Sequence, residues 1–483
     1  MRYFVFLKKL KTMILDQLYT KCLAEATYYI TSGKEAAIVD PLRETEPYLE
    51  RLKNDGATLK YIFLTHFHAD FVSGHVDLAL KTGARIVLGP NATAAYEFHQ
   101  AKDGEIFTLG DLKIKALHTP GHTMESTCYL LFTEKGEQHA IFTGDTLFIG
   151  DVGRPDLAVK SDLTTADLAG YLYESLRNKI MPLDNHIIVY PAHGAGSACG
   201  KNMSSETYDT LGSQKKLNYA LDSKLSKTEF VNMTTEGLAE PPQYFPLNVA
   251  MNKAVNSTID SILGSGTTAL SPLEFQNLAR QEDVYILDVR TPNDYAKGSV
   301  KNAWFIGLDG TFAPWVGALI EDIHQKIILI APEGREAEAV TRLARVGYDN
   351  TLGYLSGGMA AWEQAGFPVE KTGNISAQEF VDGIQLGEIK NPLDVRKTPE
   401  YDTKHIEDIT LLPLDDIHKK LSSLQPQSTY HVHCAGGYRS MIFSSIAKSK
   451  GYLNMVNVEG GFGAIKKTNL KSLNLVSTST IDL

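Results

Sequence analysis

Thr65-His66-Phe67-His68-Ala69-Asp70 follows the apolar run Tyr61-Ile62-Phe63-Leu64, and this strand-then-histidine ending decides how the first half of the chain is read. A short apolar run of about four to eight residues suits a strand covered on both faces. Side chains two apart on extended backbone point the same way, so the pattern predicts that His66 and His68 converge on one ion. One His-x-His is weak alone, because buried histidines satisfied by hydrogen bonds outnumber ligands. Three further apolar runs end in candidate ligands. Ile114-Lys115-Ala116-Leu117 leads to His118-Thr119-Pro120-Gly121-His122-Thr123, and Ala140-Ile141-Phe142-Thr143-Gly144 leads to Asp145. Ile187-Ile188-Val189-Tyr190-Pro191-Ala192 leads to His193. Sites in layered α/β proteins gather where strands end and loops begin. Imidazole with carboxylate suits zinc or iron. The endings together predict a metal site.

The chain has 483 residues, enough for about three domains. Its 43% hydrophobic and 22% charged content fits globular cores rather than a disordered chain. A net charge of −10 without a long Lys/Arg run excludes the footprint of a nucleic-acid or anionic-membrane binder. No apolar run reaches the roughly 18 residues that span a bilayer. Lys8, Lys9 and Lys11 follow the short apolar run 3–7 instead of preceding it, a poor match to a signal peptide. The expectation is a cytoplasmic protein, with Met13 an alternative start to Met1. Cys22, Cys128, Cys199 and Cys434 lack CxxC spacing and read as free thiols, the first two as packing residues.

Residues 18–40 read as two strands around Ser32-Gly33-Lys34, and 45–55 and 74–82 have helical periodicity. Residues 202–245 are polar and helical and close the first domain, with a connection near 250–268. An internal repeat follows. Tyr285-Ile286-Leu287-Asp288-Val289-Arg290 recurs as Asn391-Pro392-Leu393-Asp394-Val395-Arg396, and Leu355-Ser356-Gly357-Gly358 recurs as Val458-Glu459-Gly460-Gly461. A period on the order of a hundred residues makes each copy a domain with a parallel sheet. The second copy carries Tyr430-His431-Val432-His433-Cys434, then Ala435-Gly436-Gly437-Tyr438-Arg439-Ser440 before a helix. Strand, tight loop and helix start form a cradle of inward N–H groups that favours a thiolate, and Arg439 adds positive charge. Such a thiol suits holding and passing a sulfane sulfur. In the first copy Arg335 aligns with Arg439 and Ile330 falls at the Cys434 position, so that copy is catalytically empty. It reads as a spacer that orients the active domains or widens an interface.

Residues 13–250 resemble the metallo-β-lactamase superfamily, and within it the persulfide dioxygenases. Residues 268–372 and 373–483 resemble rhodaneses on the Asp-Val-Arg strand, the Cys-x-x-x-x-Arg-Ser loop and the late Gly-Gly. The fold class implied is α/β: an N-terminal αββα sandwich followed by two rhodanese-like domains. The resemblance implies one Fe(II) per chain, zinc being the alternative, on His66, His122 and Asp145. His68, Asp70 and His193 match positions that bind metal in two-metal relatives and here serve as a second shell or a second-metal remnant. One departure stands out. The two-metal pattern has a histidine directly after the aspartate, where this chain has Phe71, and only nearby His75 is available to substitute. Two histidines and one carboxylate with open positions match the facial triad of non-haem Fe(II) oxygenases. Arg154 and Asp156 lie in a glycine-rich loop by the site and read as a structural pair. Cys199, six residues after His193, reads equally as a thiol near the metal or an incidental one.

The function implied is oxidation of a small-molecule thiol persulfide by O2 to sulfite, with Cys434 and Arg439 forming or using thiosulfate in sulfide detoxification. No nucleic acid or membrane partner is expected, and the empty repeat invites a homo-oligomer. Two alternatives stand beside this: a glyoxalase II-type thioester hydrolase with zinc, and a non-enzymatic sulfur carrier or sensor.

Overall fold

The computed structural model describes residues 13–157, 163–238, 240–468 and 474–477. The start at Met1 and the segment 1–12 lie outside the described residues. The chain divides into two compact units, residues 1–259 with 344–347, and residues 260–343 with 348–483.

The first unit is built on two six-stranded sheets. One runs in chain order: Ile14–Thr20, Glu25–Ser32, Glu35–Val39, Thr58–Phe63, Arg85–Leu88 and His99–Gln100. The other runs Asp209–Thr210, Ile188–Pro191, Gln138–Gly144, Thr127–Phe132, Leu112–His118 and Ile106–Leu109. Side-chain alternation along each strand sorts the apolar residues into layers. Tyr28, Ile30, Val39 and Phe63 of the first sheet pack on Ile114, Tyr129, Leu131 and Phe142 of the second. On the outer face of the first sheet, Tyr29, Ile38 and Ile62 meet Tyr48 and Leu52 of helix Glu46–Asp55 and Leu78 of helix His75–Thr82. On the outer face of the second, Cys128, Leu130, Ile141 and Val189 meet Leu172 of helix Thr165–Ser175 and Phe230 of helix Lys227–Thr235. The result is the αββα sandwich expected from sequence. Each large apolar side chain buried this way stabilises the fold by roughly 1.5–3 kcal/mol.

Residues 18–40 belong to three strands, not two, because Ile14–Thr20 pairs antiparallel with Glu25–Ser32. That edge strand is half-buried along its whole length and has a mixed sequence, which hides its alternation. The stretch 202–245 holds the short strand Asp209–Thr210 as well as helices, and helices Phe245–Asn252 and Ile259–Gly266 occupy the connection. Cys128 is a packing residue as expected, whereas Cys22 is only half-buried in a turn.

The second unit contains two five-stranded, all-parallel sheets of identical strand order. The first runs Ala269–Leu270, Thr351–Leu355, Lys326–Ile330, Val284–Asp288, Trp304–Phe305. The second runs Gly373–Ile375, Met455–Val458, Tyr430–His433, Pro392–Asp394, Thr410–Leu411. The sequence repeat is therefore a repeat of topology. Its register corrects the alignment by one residue. Asp288 pairs with Ile330 and Asp394 with His433, so the Cys434 position falls on Ala331, and the empty copy's loop is one residue shorter. No helix among the described residues is long and apolar enough to cross a membrane.

Candidate functional site

The four strand endings meet as predicted, but His66 and His68 do not serve one point. The segment 64–70 leaves the strand before the histidines, so the period-two rule for extended backbone no longer governs them. Their rings are neighbours, with centroids 4.2 Å apart, while their donor atoms join different groups. His66, His122 and Asp145 form one set, His68, Asp70 and His193 a second, and Asp145, His193 and Cys199 a third; in each the donor atoms lie within 4.8 Å of one another. All of these residues are buried.

The hydrogen bonds fix which nitrogen each imidazole offers. Thr65 Oγ1 donates to Asp40 Oδ2 at 2.8 Å, so at 3.0 Å it accepts from His66 Nδ1. The carbonyl of Arg154 accepts from His122 Nδ1 at 2.8 Å, and the carbonyl of Ala24 from His193 Nδ1 at 3.3 Å. Each ring therefore turns a bare Nε2 inward. Those of His66 and His122 lie 3.8 and 3.5 Å from Asp145 Oδ2, and that of His193 lies 3.6 Å from Asp145 Oδ1. Among the described residues, both Asp145 oxygens, His193 Nε2 and Asp70 Oδ1 are left without a hydrogen-bond partner. Acceptor-only atoms facing one another in a buried space repel, and a cation relieves the conflict. The donor set fits a metal ion. Burial, then the positive charge of neighbouring histidines, pushes His66 well below the usual imidazole range, which keeps its lone pair available.

His68 is treated differently. Burial alone lowers it, but Asp40, with Oδ1 at 3.1 Å from His68 Nε2, outweighs burial together with Asp70 and Asp145 and raises it. Its ring also lies against Phe71, centroids 4.3 Å apart. His75 is not in any donor set; its Nε2 pairs with the Tyr96 hydroxyl at 2.7 Å. Sequence reasoning passed over Asp40 and Asn252. Asp40 sits in the left-handed region at φ 51 and also accepts the Thr65 N–H at 2.8 Å. Asn252 donates to the carbonyls of His68 and Phe71 and accepts the Ser73 N–H, each at 2.8 Å, tying down the histidine loop from a remote helix. An aspartate closing a strand before Pro41 was the available signal for the first; nothing local marked the second.

Arg154 forms the expected pair with Asp156, at 2.7 Å through both Nε and Nη2. Its N–H donates to the Cys199 carbonyl at 3.0 Å, so one residue joins the His122 and Cys199 loops. A Cβ on Gly153 would lie 2.0 Å from the Asp145 carbonyl oxygen, so only glycine lets this loop close over the site. Burial and the charges of Asp145 and Asp70 push the Cys199 thiol well up, keeping it protonated.

Cys434 starts its loop at the end of Tyr430–His433, and Gly437 N–H donates to its Sγ at 3.1 Å. Ser440 Oγ approaches the same sulfur at 3.5 Å. Arg439 pairs with Glu400 through Nη1 at 2.6 Å and Nη2 at 2.8 Å, which raises the guanidinium and lowers the carboxyl. In the empty repeat Arg335 pairs with Glu338 and Asp309 instead. Both copies keep the buried aspartate clamped on the arginine two residues later, Asp288 on Arg290 and Asp394 on Arg396.

Residues 21–193 match the metallo-beta-lactamase superfamily, and 271–365 and 376–468 each match the rhodanese-like domain. The chain is 30% identical to hydroxyacylglutathione hydrolase GloC of Haemophilus influenzae over 40% of this chain and 89% of that protein. It is 28% identical to the mitochondrial persulfide dioxygenase ETHE1 of Homo sapiens over 50% of this chain and 87% of that protein. A crystal structure of a metallo-beta-lactamase from Staphylococcus aureus matches at TM-score 0.64 and 29% identity, covering 72% of this chain and 99% of that one.

Proposed function

The chain belongs to the metallo-β-lactamase superfamily and carries two rhodanese-like domains, and from that premise we propose that it is an iron-dependent persulfide dioxygenase joined to a sulfurtransferase. The proposed domains are 13–250, 268–372 and 373–483. The observation that carries the reading is the presence, in one chain, of an acceptor-only metal pocket and a thiol cradle suited to sulfane sulfur.

His66, His122 and Asp145 hold the metal in this reading. Bound iron supplies the redox chemistry that lets dioxygen react with sulfur. Arg154 keeps His122 in the tautomer that presents Nε2, and Thr65 does the same for His66. Asp40 holds His68 at the pocket edge, 3.1 Å from its Nε2, and raises its proton affinity against the effect of burial. The net reaction is one persulfide, one O2 and one water giving one thiol and sulfite. At the second site the Cys434 thiolate attacks the outer sulfur of a persulfide and releases the thiol. Sulfite then takes that sulfur as thiosulfate and returns the thiolate.

A second reading has support of its own. The set His68, Asp70 and His193 offers a second ion three donors, and the kinship with hydroxyacylglutathione hydrolases fits thioester hydrolysis at a two-zinc centre. Metal content and oxygen uptake with a small-molecule persulfide, on anaerobically purified protein, separate the two. About one iron per chain with persulfide-dependent oxygen consumption yielding sulfite or thiosulfate supports the dioxygenase. About two zinc ions per chain, no oxygen uptake and cleavage of a glutathione thioester support the hydrolase.

A further inference from the structure

The cysteine-less repeat grips the helix that presents Cys434's loop. Tyr438, Ser445 and Ser449 lie about two and three turns apart on one face of helix Tyr438–Ser449. Trp304 Nε1 donates to Ser449 Oγ at 2.8 Å, and Phe305 N–H to Ser445 Oγ at 2.9 Å. At the loop end, the Tyr438 hydroxyl donates to the Gly307 carbonyl at 2.7 Å, and its ring meets Phe305 edge-on with centroids 5.8 Å apart. A Cβ on Gly310 would come within 2.3 Å of the Tyr438 ring, so the phenol lies directly on the empty repeat's backbone. Tyr438 follows Gly437, whose peptide, at φ 91, supplies the N–H on Cys434 Sγ.

Resting on the reading of Cys434 as a sulfur-transfer thiol, we propose that the empty repeat is the scaffold that aims the sulfur loop, with Tyr438 as its positioning residue. The 307–310 segment fixes the phenol, the phenol fixes the adjoining peptide, and the Gly437 N–H is thereby held where negative charge on sulfur is stabilised. This explains why a copy without its cysteine keeps its whole sheet and a glycine at 310. A copy retained only as a spacer needs neither a phenol hydrogen bond nor a contact that excludes one methyl group.

The test uses the full chain as native protein, Tyr438→Phe and Gly310→Ala. Two quantities are read: the pH profile of Cys434 alkylation, followed on its own peptide by mass, and kcat and KM for sulfur transfer from thiosulfate to cyanide. Loss of one hydrogen bond to the loop should lower kcat roughly five- to tenfold in Tyr438→Phe, leave KM within about twofold and move the alkylation midpoint up. Gly310→Ala should do the same more strongly. Tyr438→Phe keeps the ring, so its result stands even if Gly310→Ala fails to fold. An unchanged midpoint and kcat in Tyr438→Phe would overturn the proposal. A native chain that transfers no sulfur would sink the sulfurtransferase reading, while the alkylation midpoint would still decide the positioning role.

Discussion

The two sites are opposites in polarity built from the same kinds of parts. In the first unit, bare imidazole nitrogens and an unpartnered carboxylate face one another, a hole that a cation fills. In the second, a backbone N–H points at one sulfur at the start of a helix, a cradle that an anion fills. Outer partners decide the sign. Carbonyls of Arg154 and Ala24 take the Nδ1 protons of His122 and His193 and so turn lone pairs inward, whereas the turn at Gly437 points an N–H inward. A residue list alone does not say whether a pocket wants a cation or an anion; the second layer of hydrogen bonds does.

If the two sites are chemically separate, each can be removed alone. In the proposed dioxygenase, Asp145→Asn should lower metal affinity by at least about a hundredfold and abolish oxygen uptake, with thiosulfate–cyanide transfer retained. Cys434→Ser should abolish the transfer and keep oxygen uptake. Loss of both activities in either variant would break the separation. Phe71→His restores the histidine of the two-metal pattern beside His68, and the bound metal should rise from about one ion per chain toward two, read by elemental analysis after loading. No change in stoichiometry would show that the Asp40–His68 contact, rather than the missing ligand, keeps the second set from filling.

The metal pocket was largely legible because its parts end apolar runs: His66, His122, Asp145 and His193 all follow strands of the two sheets. The assignment of His68 was not legible, since it depends on Asp40, 28 positions earlier in the chain, reaching its Nε2 across the sheet. The doubled sheet order of the second unit was visible in the repeated Asp-Val-Arg strands, but the register was not. A gap of one residue in a loop leaves no trace in composition, and only the pairing of Asp288 with Ile330 reveals it. Glu400 escaped notice for the same reason as Asn252: a partner reached through space carries no local pattern.

Glu400 sharpens the anion side of the comparison. Its carboxylate neutralises Arg439 through a two-pronged pair. Glu400→Gln removes one negative charge near the thiolate and should move the alkylation midpoint of Cys434 down by roughly half a pH unit, a modest effect because the pair is partly solvated. An upward move would show that Glu400 matters more for aiming Arg439 than for its charge.

His75 tests the cation side from just outside the pocket, through stability rather than activity. It is buried like the pocket histidines, yet its Nε2–H donates to Tyr96, whose hydroxyl proton goes to the Asn252 carbonyl. Its Nδ1 has no hydrogen-bond partner among the described residues. Burial, then the positive charge of His68, pushes it down to about 3. An unfolded histidine titrates near 6.5, so between about 6.5 and 3 the unfolded chain binds a proton that the folded chain does not. Stability from this group is therefore complete above the unfolded value and is lost as pH falls below it, by about 1.4 kcal/mol per pH unit. His75→Gln keeps a donor for Tyr96 and removes the titration. The variant should start from a lower melting temperature at pH 7.5, yet lose less than the native chain between pH 6.5 and 5. Parallel losses would place the acid sensitivity elsewhere, and with it the distinction between a histidine that faces a metal and one that is merely buried.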